Sequence, residues 1–288
     1  MPLLRRFRFL LFLLFVPISL RAEPALWVVH SPTATVYLFG TVHRLKSDAT
    51  WRSPHIDLAL AESGDLWLEV KDPFDRAAVA PFVRQYALDV AHPLSSKLND
   101  AERARLAATV SKAGLPGVAG FEPLRPWMAA LIISMAPVKA AGFGPSSGVE
   151  TILTAMMKDS GRPVYGLETI QAQLKFFATL TPKAELQMLD DAMDEVDNGV
   201  GKLQAVVSAW QAGDVEAIGK LLDEDLVTKE PDAYKALIID RNVAWSDRLA
   251  ERLTGSGVSF VAVGAGHLAG TDSVQVQLAR RGLTVERQ

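Results

Sequence analysis

The chain has 288 residues, 49% of them hydrophobic, with 30 Lys+Arg against 33 Asp+Glu and a formal charge of −3. That length allows one large domain or two small ones. The lack of cysteine excludes a disulfide framework, a thiolate metal site and a cysteine-linked lipid. An acidic balance without a basic run argues against nucleic-acid partners.

Arg5, Arg6 and Arg8 open the chain, an apolar run follows from Phe9 to Leu20, and Ala22 is a suitable last residue before cleavage. This is the layout of a secretory signal peptide. The run is shorter than the roughly 20 apolar residues of a membrane-spanning helix. The expectation is therefore a signal peptide over 1–22 and a soluble mature domain over 23–288. That domain would be periplasmic or secreted, with no stable membrane insertion. Removing Arg5, Arg6, Arg8 and Arg21 takes Lys+Arg from 30 to 26, and the charge falls to about −7.

Leu26 to His30 and Thr35 to Phe39 are β-rich runs joined by Ser31-Pro32-Thr33, which predicts a hairpin. Ser53-Pro54 reads as a helix start, with Ile56, Ala59 and Leu60 at helical spacing and Gly64 as the stop. Leu66-Trp67-Leu68 reads as a buried strand ending at Glu69-Val70. Asn99 with Glu102 predicts a capping box, and Gly114 the end of that helix. Trp127 to Met135 is apolar nearly all round, which suits a core helix. Ser147 to Lys158 is the next predicted helix. Val164 to Leu167 is a short strand ending at Glu168.

From Thr169 to about Thr254 the pattern is a series of amphipathic helices, with breaks near Pro182, Gly199, Gly213 and Pro231. Val258 to Val263 is a second clear buried strand. A helix from Ser273 to Arg280 and a strand from Leu283 to Glu286 close the chain. No low-complexity linker interrupts it. The expected fold class is α/β (α+β): a central sheet with an N-terminal hairpin, flanking helices and a large helical insertion.

His43, Glu69, Glu168 and His267 each follow the C-terminal end of an apolar strand. If those strands run parallel, the four residues converge on the edge where open α/β sheets bind ligands. Both histidines sit in Gly-x-x-His: Gly40-Thr41-Val42-His43 and Gly264-Ala265-Gly266-His267. Glycine lets the chain turn off the strand, so Gly40 and Gly264 are expected where a side chain is poorly tolerated. A lone strand-end histidine is more often structural, and a strand-end glutamate more often meets solvent or caps a helix. The set of four is what points to a shared site. His30, His55 and His92 lack such company and read as surface or loop residues.

Two histidines with one or two carboxylates suit a divalent metal such as Zn²⁺, Mn²⁺ or Co²⁺, with a glutamate taking a proton from bound water. A metal-free His/Glu acid–base site is the alternative. Arg241-Asn242, followed by Trp245, lies on the long helix before the last buried strand. Arg241 is a candidate oxyanion holder, weighed against a surface pair with Asp240 or Asp247.

The stretches Tyr37-Leu-Phe-Gly-Thr-Val-His43, Leu66-Trp-Leu-Glu-Val70, Val164-Tyr-Gly-Leu-Glu-Thr169, Arg241-Asn242 with Trp245, and Val261-Ala-Val-Gly-Ala-Gly-His-Leu-Ala-Gly270 resemble the TraB/GumN family, which is similar to the Tiki metalloproteases. Arg125-Pro126-Trp127 and Gly148-Val149-Glu150 fit as well. The resemblance implies a fold shared with erythromycin-esterase-like and ChaN-like proteins. It also implies a metal-dependent protease site favouring Mn²⁺ or Co²⁺. Carried over, the active site falls on His43, Glu69 and His267, joined by Glu168 and Arg241. Local chemistry then suggests the roles: His43, Glu69 and His267 bind the ion, Glu168 acts as base and Arg241 holds developing charge, with Gly40, Gly264 and Asn242 in support. Glu150 is a departure, where many relatives carry Asp, and reads as part of a helix start.

The expected function is an exported metal-dependent hydrolase, a peptidase using a two-histidine plus glutamate site, acting on a peptide or small-molecule substrate. The alternative is a non-catalytic protein that sequesters a peptide or a haem-like ligand. No paired carboxylates are placed for glycosidic chemistry.

Overall fold

The computed structural model describes residues 22–72, 75–229 and 231–288. The expected signal peptide lies, but for Ala22, outside the described residues. Among the described residues no helix is long and apolar enough to cross a membrane.

Two strands open the fold, β1 (Leu26–His30) and β2 (Ala34–Thr41), paired antiparallel as the hairpin predicts. Helix α1 (Pro54–Glu62) starts where Ser53 Oγ accepts the Ile56 N–H, and leads to β3 (Asp65–Val70). It ends at Glu62, where the cap residue Ser63 closes the last turn with its N–H on Leu60 O and Gly64 follows as the stop.

A first helical excursion follows: α2 (Arg76–Tyr86), α3 (Asp100–Lys112), α4 (Pro126–Ala140) and α5 (Val149–Asp159). The capping box of Asn99 and Glu102 forms at the start of α3. Helix α5 begins two residues later than the sequence pattern predicts, because Pro145–Ser147 forms a separate 3₁₀ turn and Gly148 takes the N-cap.

Strand β4 (Val164–Glu168) returns to the sheet. The second excursion is α6 (Ile170–Ala178), α7 (Pro182–Asn198), α8 (Gly201–Gln211), α9 (Val215–Lys229) and α10 (Pro231–Tyr234). A π-helical turn over Lys235–Ile239 then runs into α11 (Asp240–Leu253). Strand β5 (Gly257–Gly264), α12 (Val274–Arg280) and β6 (Val285–Arg287) finish the chain. The last strand starts two residues later and ends one residue later than predicted, where its backbone pairs with Trp27–Val29 of β1.

The six strands form one mixed α/β sheet in the order β4-β3-β5-β2-β1-β6. The four strands β4, β3, β5 and β2 are parallel, so their C-terminal ends share one edge. Strands β2, β3 and β5 are covered on both faces, while the edge strand β4 leaves Tyr165 exposed. Phe39, Leu66, Leu68, Phe260 and Ala262 pack on one side with Ile56, Leu153 and Trp210 from α1, α5 and α8. Val36, Leu38, Val261 and Val263 pack on the other with Trp245, Leu249 and Leu278 from α11 and α12. Burial on both faces is why these strands read as continuous apolar runs without polar alternation.

The two helical excursions also pack on each other. Leu106 and Val110 of α3, Ala129 and Ile133 of α4, and Leu189 and Met193 of α7 form a separate cluster. Arg125 locks it, pairing with the buried Glu185 and donating to the carbonyls of Tyr86 (3.0 Å) and Ala178 (3.2 Å). Arg125-Pro126-Trp127 thus serves this helical core.

Candidate functional site

The shared strand edge brings the strand-end residues together. Glu69 lies near the end of β3, Glu168 ends β4, His43 follows β2 and His267 follows β5 on a 3₁₀ turn over Ala265–Leu268. Helix α11 crosses beneath and sends Arg241 into the middle. The π-helical turn just before α11 places Leu237 O within 3.1 Å of Arg241 Nη1, a backbone irregularity of the kind found at functional sites.

Arg241 has five N–H donors, and each has an acceptor. Nη2 donates to Glu69 Oε2 (2.5 Å) and Glu168 Oε1 (2.7 Å), and Nε to Glu168 Oε2 (3.3 Å). Nη1 donates to Leu237 O (3.1 Å) and His267 Nε2 (3.0 Å). The guanidinium also lies over the Trp245 ring, 4.6 Å from its centre. The surface pair weighed for Arg241 does not form: Asp240 pairs with Lys235 and Asp247 with Arg281. With every donor engaged inside the protein, this arrangement leaves none aimed at a substrate oxyanion.

Asn242 fixes the state of His267. Its Nδ2 donates to the carbonyls of Asp272 (2.8 Å) and His267 (3.3 Å), so its Oδ1 is the acceptor facing His267 Nδ1 at 2.7 Å. His267 Nδ1 therefore carries the proton, and Nε2 offers a lone pair to Arg241. A second proton on Nε2 would face the guanidinium N–H. Burial first, and then the Arg241 and His43 charges, outweigh Glu69 and hold the imidazole down to about 4. His267 is neutral at neutral pH.

Glu69 joins this buried cluster to the open side. Its Oε1 accepts the Gly264 N–H (2.7 Å) and lies 3.9 Å from His267 Nε2. Its Oε2 accepts from Arg241 and from Gln173 Nε2 on α6 (3.0 Å). Burial alone would raise this carboxyl. The His267, Arg241 and His43 groups and the Gly264 N–H outweigh burial and bring it to about 2. Glu168 moves the other way: burial raises it, against the lowering effect of Arg241.

His43 occupies the open side. Its Nδ1–H donates to Glu150 Oε1 at 2.6 Å, and Thr41 Oγ1 donates to the same oxygen. Desolvation lowers the imidazole, but the hydrogen bond and charge of Glu150, with Glu69 behind, raise it to about 9. The side chain is 65% exposed, so solvent moderates this shift. A cavity of about 820 Å³ opens beside it, with His43, Glu69, Glu150 and Gln173 in its lining and Arg44, Lys71 and Lys158 at its wall.

Neither motif glycine has a positive φ. Close approach, not backbone conformation, is what leaves little room for a side chain at both. A methyl group on Gly40 would stand 3.2 Å from Ala265 Cα. One on Gly264 would stand 3.0 Å from Glu69 Oε1 and 3.7 Å from both His43 Nε2 and His267 Cδ2. Gly148 is tighter still, with a Cβ position only 2.1 Å from His43 O. That contact seats the start of α5 against the His43 backbone and brings Glu150 to the ring. Glu150 and Gln173 are the site residues that sequence reasoning missed. Both sit on helices that only tertiary packing delivers to the strand edge. The Gly148-Val149-Glu150 match was the available signal for the first.

The sequence model of the TraB/PrgY/gumN family matches residues 25–287. The chain belongs to the TraB/PrgY/gumN family. An uncharacterized protein of Treponema pallidum (strain Nichols) is similar, 23% identical over 277 residues that cover 91% of this chain and 82% of its own. No solved structure matches.

The resemblance drawn from the sequence motifs leads to the expectation of an ion shared by His43, Glu69 and His267. The donor atoms as arranged do not fit one. Glu69 Oε2, Glu168 Oε1 and His267 Nε2 all face the Arg241 guanidinium, a cation already in place. Among the described residues no group of three or more His, Asp or Glu side chains is disposed to hold a metal ion.

Proposed function

We propose that this TraB/PrgY/gumN protein is a hydrolase that works outside the cytoplasm on an amide or ester of a peptide or small molecule. The observation that carries the reading is the His43–Glu150 pair at the cavity, held at 2.6 Å, with the far ring nitrogen turned toward the Gly264–Glu69 contact. Glu150 fixes the Nδ1–H tautomer, which leaves Nε2 to exchange a proton with water or with a leaving group.

In the proposed step a water oxygen bonds to the substrate carbonyl carbon and its proton passes to His43 Nε2. The same proton then goes to the leaving nitrogen or oxygen as the C–N or C–O bond breaks. Arg44, Lys71 and Lys158 line the same cavity, together with Asp72 and Asp75, and are the cations available to the developing oxyanion. Glu69 is the fixed carboxylate that favours the imidazolium formed on the way. Only neutral His43 takes a proton from water, so kcat/KM rises with pH as the ring deprotonates, toward about 9. Export rests on Arg5, Arg6, Arg8, the apolar run and Ala22.

The test is a panel of peptides and chromogenic esters under multiple-turnover conditions. Product should exceed enzyme, and His43→Ala should lose roughly 10²–10⁴-fold of the rate. Stoichiometric retention of a peptide with no product from any member of the panel would replace this reading with sequestration. One observation favours that rival: Arg241, the strongest candidate for oxyanion binding, has all its donors engaged within the protein. Recovery of a chain beginning near Glu23 in the soluble periplasmic or culture fraction tests export.

A further inference from the structure

We infer that Arg241 is the resident cation of this site, standing where a divalent metal would otherwise sit, and that withdrawing it opens a metal site made of Glu69, Glu168 and His267. The inference goes beyond the hydrolase reading and stands whether or not the site turns over substrate.

Its ground is the convergence of three side chains from three strand ends on one guanidinium. Glu69 Oε2 and Glu168 Oε1 share a single nitrogen, Nη2, at 2.5 and 2.7 Å. His267 Nε2 meets the neighbouring Nη1 at 3.0 Å. Two carboxylates and one imidazole are the donor types of a divalent site, at bonds of about 2.0–2.2 Å. With the guanidinium gone, the three freed donors would have to close in from these positions to reach such bonds.

Several features show that Arg241 is built in. All five of its donors are satisfied, the fifth by the Leu237 carbonyl at the π-helical turn. Its plane packs over Trp245, which is 1% exposed. The second nitrogen of His267 is pinned by Asn242, a buried residue held by two carbonyls, so the Nε2 lone pair has one direction to point. The remaining Glu69 oxygen is committed to the Gly264 N–H at 2.7 Å. A metal entering beside Arg241 would meet a like charge and would have to break these bonds one by one. The site's electrostatic problem, two buried carboxylates, is solved by a side chain that cannot dissociate and does not deprotonate. An imidazole beside two carboxylates is legible in the sequence as a metal-ligand set, and the arginine filling it is not.

The experiment uses the full mature chain, stripped with chelator and titrated with Co²⁺, read by visible absorption, calorimetry and melting temperature without substrate. The wild type should show no saturable Co²⁺ uptake and no melting shift. Arg241→Ala should take up Co²⁺ saturably and melt higher with it. The double variant Arg241→Ala/His267→Ala should bind roughly 10–100-fold more weakly or not at all, as expected when a ligand-side group is lost. Wild-type uptake of one Co²⁺ per chain that disappears in Glu69→Gln or His267→Ala overturns the inference. An Arg241→Ala chain that folds yet takes up no Co²⁺ overturns it too. If Arg241→Ala does not fold alone, refolding in the presence of Co²⁺ is the readout, and failure to recover folded protein counts against the proposal. None of these outcomes depends on turnover, so a failed peptide assay removes the hydrolase reading and leaves this one standing.

Discussion

His43 and His267 follow the same Gly-x-x-His pattern on adjacent parallel strands, and the protein holds them in opposite states. His43 is 65% exposed, pairs with a carboxylate and is raised to about 9. His267 is buried, pairs with an amide oxygen and a guanidinium, and is lowered to about 4. The motif therefore sets position only. The partner sets the chemistry, and in each case the partner comes from a helix: Glu150 from α5, and Asn242 with Arg241 from α11. The open histidine lines the cavity, and the buried one anchors a fixed charge network behind it.

The largest expected effect separates the two sides by stability. Arg241→Ala leaves Glu69 and Glu168 buried without their shared counter-ion, a loss of about 3–5 kcal/mol for breaking a buried pair. His43→Ala removes one exposed pair, at about 1 kcal/mol or less. Urea unfolding of both variants measures the difference. Equal losses would mean that the two histidines do not divide the site into an open and a buried half.

The next effect is on pH dependence, and here the two histidines pull in opposite directions. Unfolded His267 binds a proton below its ordinary value of 6.5, while the folded form resists until about 4. Stability therefore rises with pH between those values, by on the order of 3 kcal/mol in total. His43 is raised instead, so its contribution is fully present below 6.5 and is lost as pH climbs through about 9. A stability maximum near 6.5 is the expected sum of the two. His267→Gln should flatten the acid limb and His43→Gln the alkaline limb. A profile whose acid limb survives His267→Gln would locate the proton uptake elsewhere.

How much of this was legible beforehand follows from where each residue sits. Strands β2, β3 and β5 were readable as apolar runs because both sheet faces are covered there, and the last residues of all four parallel strands were readable as a common edge. Glu69, Glu168 and His267 come together for that reason. Arg241 was visible as a candidate, but its acceptors were not: nothing local distinguishes Glu69 and Glu168, far away in sequence, from the nearby Asp240 and Asp247. Glu150 looked like a helix-start residue, which it also is, in the first turn of α5. Its role as the partner of His43 depends on Gly148 letting that helix touch the β2 exit, a contact with no local sequence period. The large helical excursions were readable as helices, but not the way Arg125 and Glu185 tie them together.

A smaller effect sharpens the open half. Glu150→Gln keeps an acceptor oxygen near Nδ1 and removes the charge. The His43 value should fall from about 9 back toward 6.5, and the pH–rate profile should move with it. Glu150→Asp, with a shorter reach, should recover part of the shift. Histidine ring signals followed by NMR across pH give both values in one experiment. His267 serves as the internal control, since Glu150 makes no contact with it. A purely structural role for Glu150 would lower stability without moving the His43 titration.

The smallest expected effect tests the contact between the halves. Gly264 lies against both histidines and Glu69. Its missing side chain leaves 3.0 Å to Glu69 Oε1 and 3.7 Å to an atom of each ring. Gly264→Ala does not strain the backbone, since the residue's φ of −49° and ψ of 136° suit alanine. The cost must come from the added methyl pressing on a carboxylate that cannot retreat freely. Glu69 is held on its far side by Arg241 and Gln173, and on its near side by the N–H of the substituted residue itself. The expected loss is about 1–2 kcal/mol, within the range for overpacking a filled interior. Gly40→Ala meets the Ala265 backbone at 3.2 Å instead and should cost a similar amount. The two differ in what else changes. Displacing Glu69 weakens its pull on both imidazoles, so Gly264→Ala should lower the His43 and His267 values together, whereas Gly40→Ala should leave both in place. Stability and ring titrations measured on the same pair of variants separate a packing requirement from an electrostatic one. If Gly264→Ala moved neither histidine, Glu69 would not be the link between them, and the open and buried halves would be neighbours without coupling.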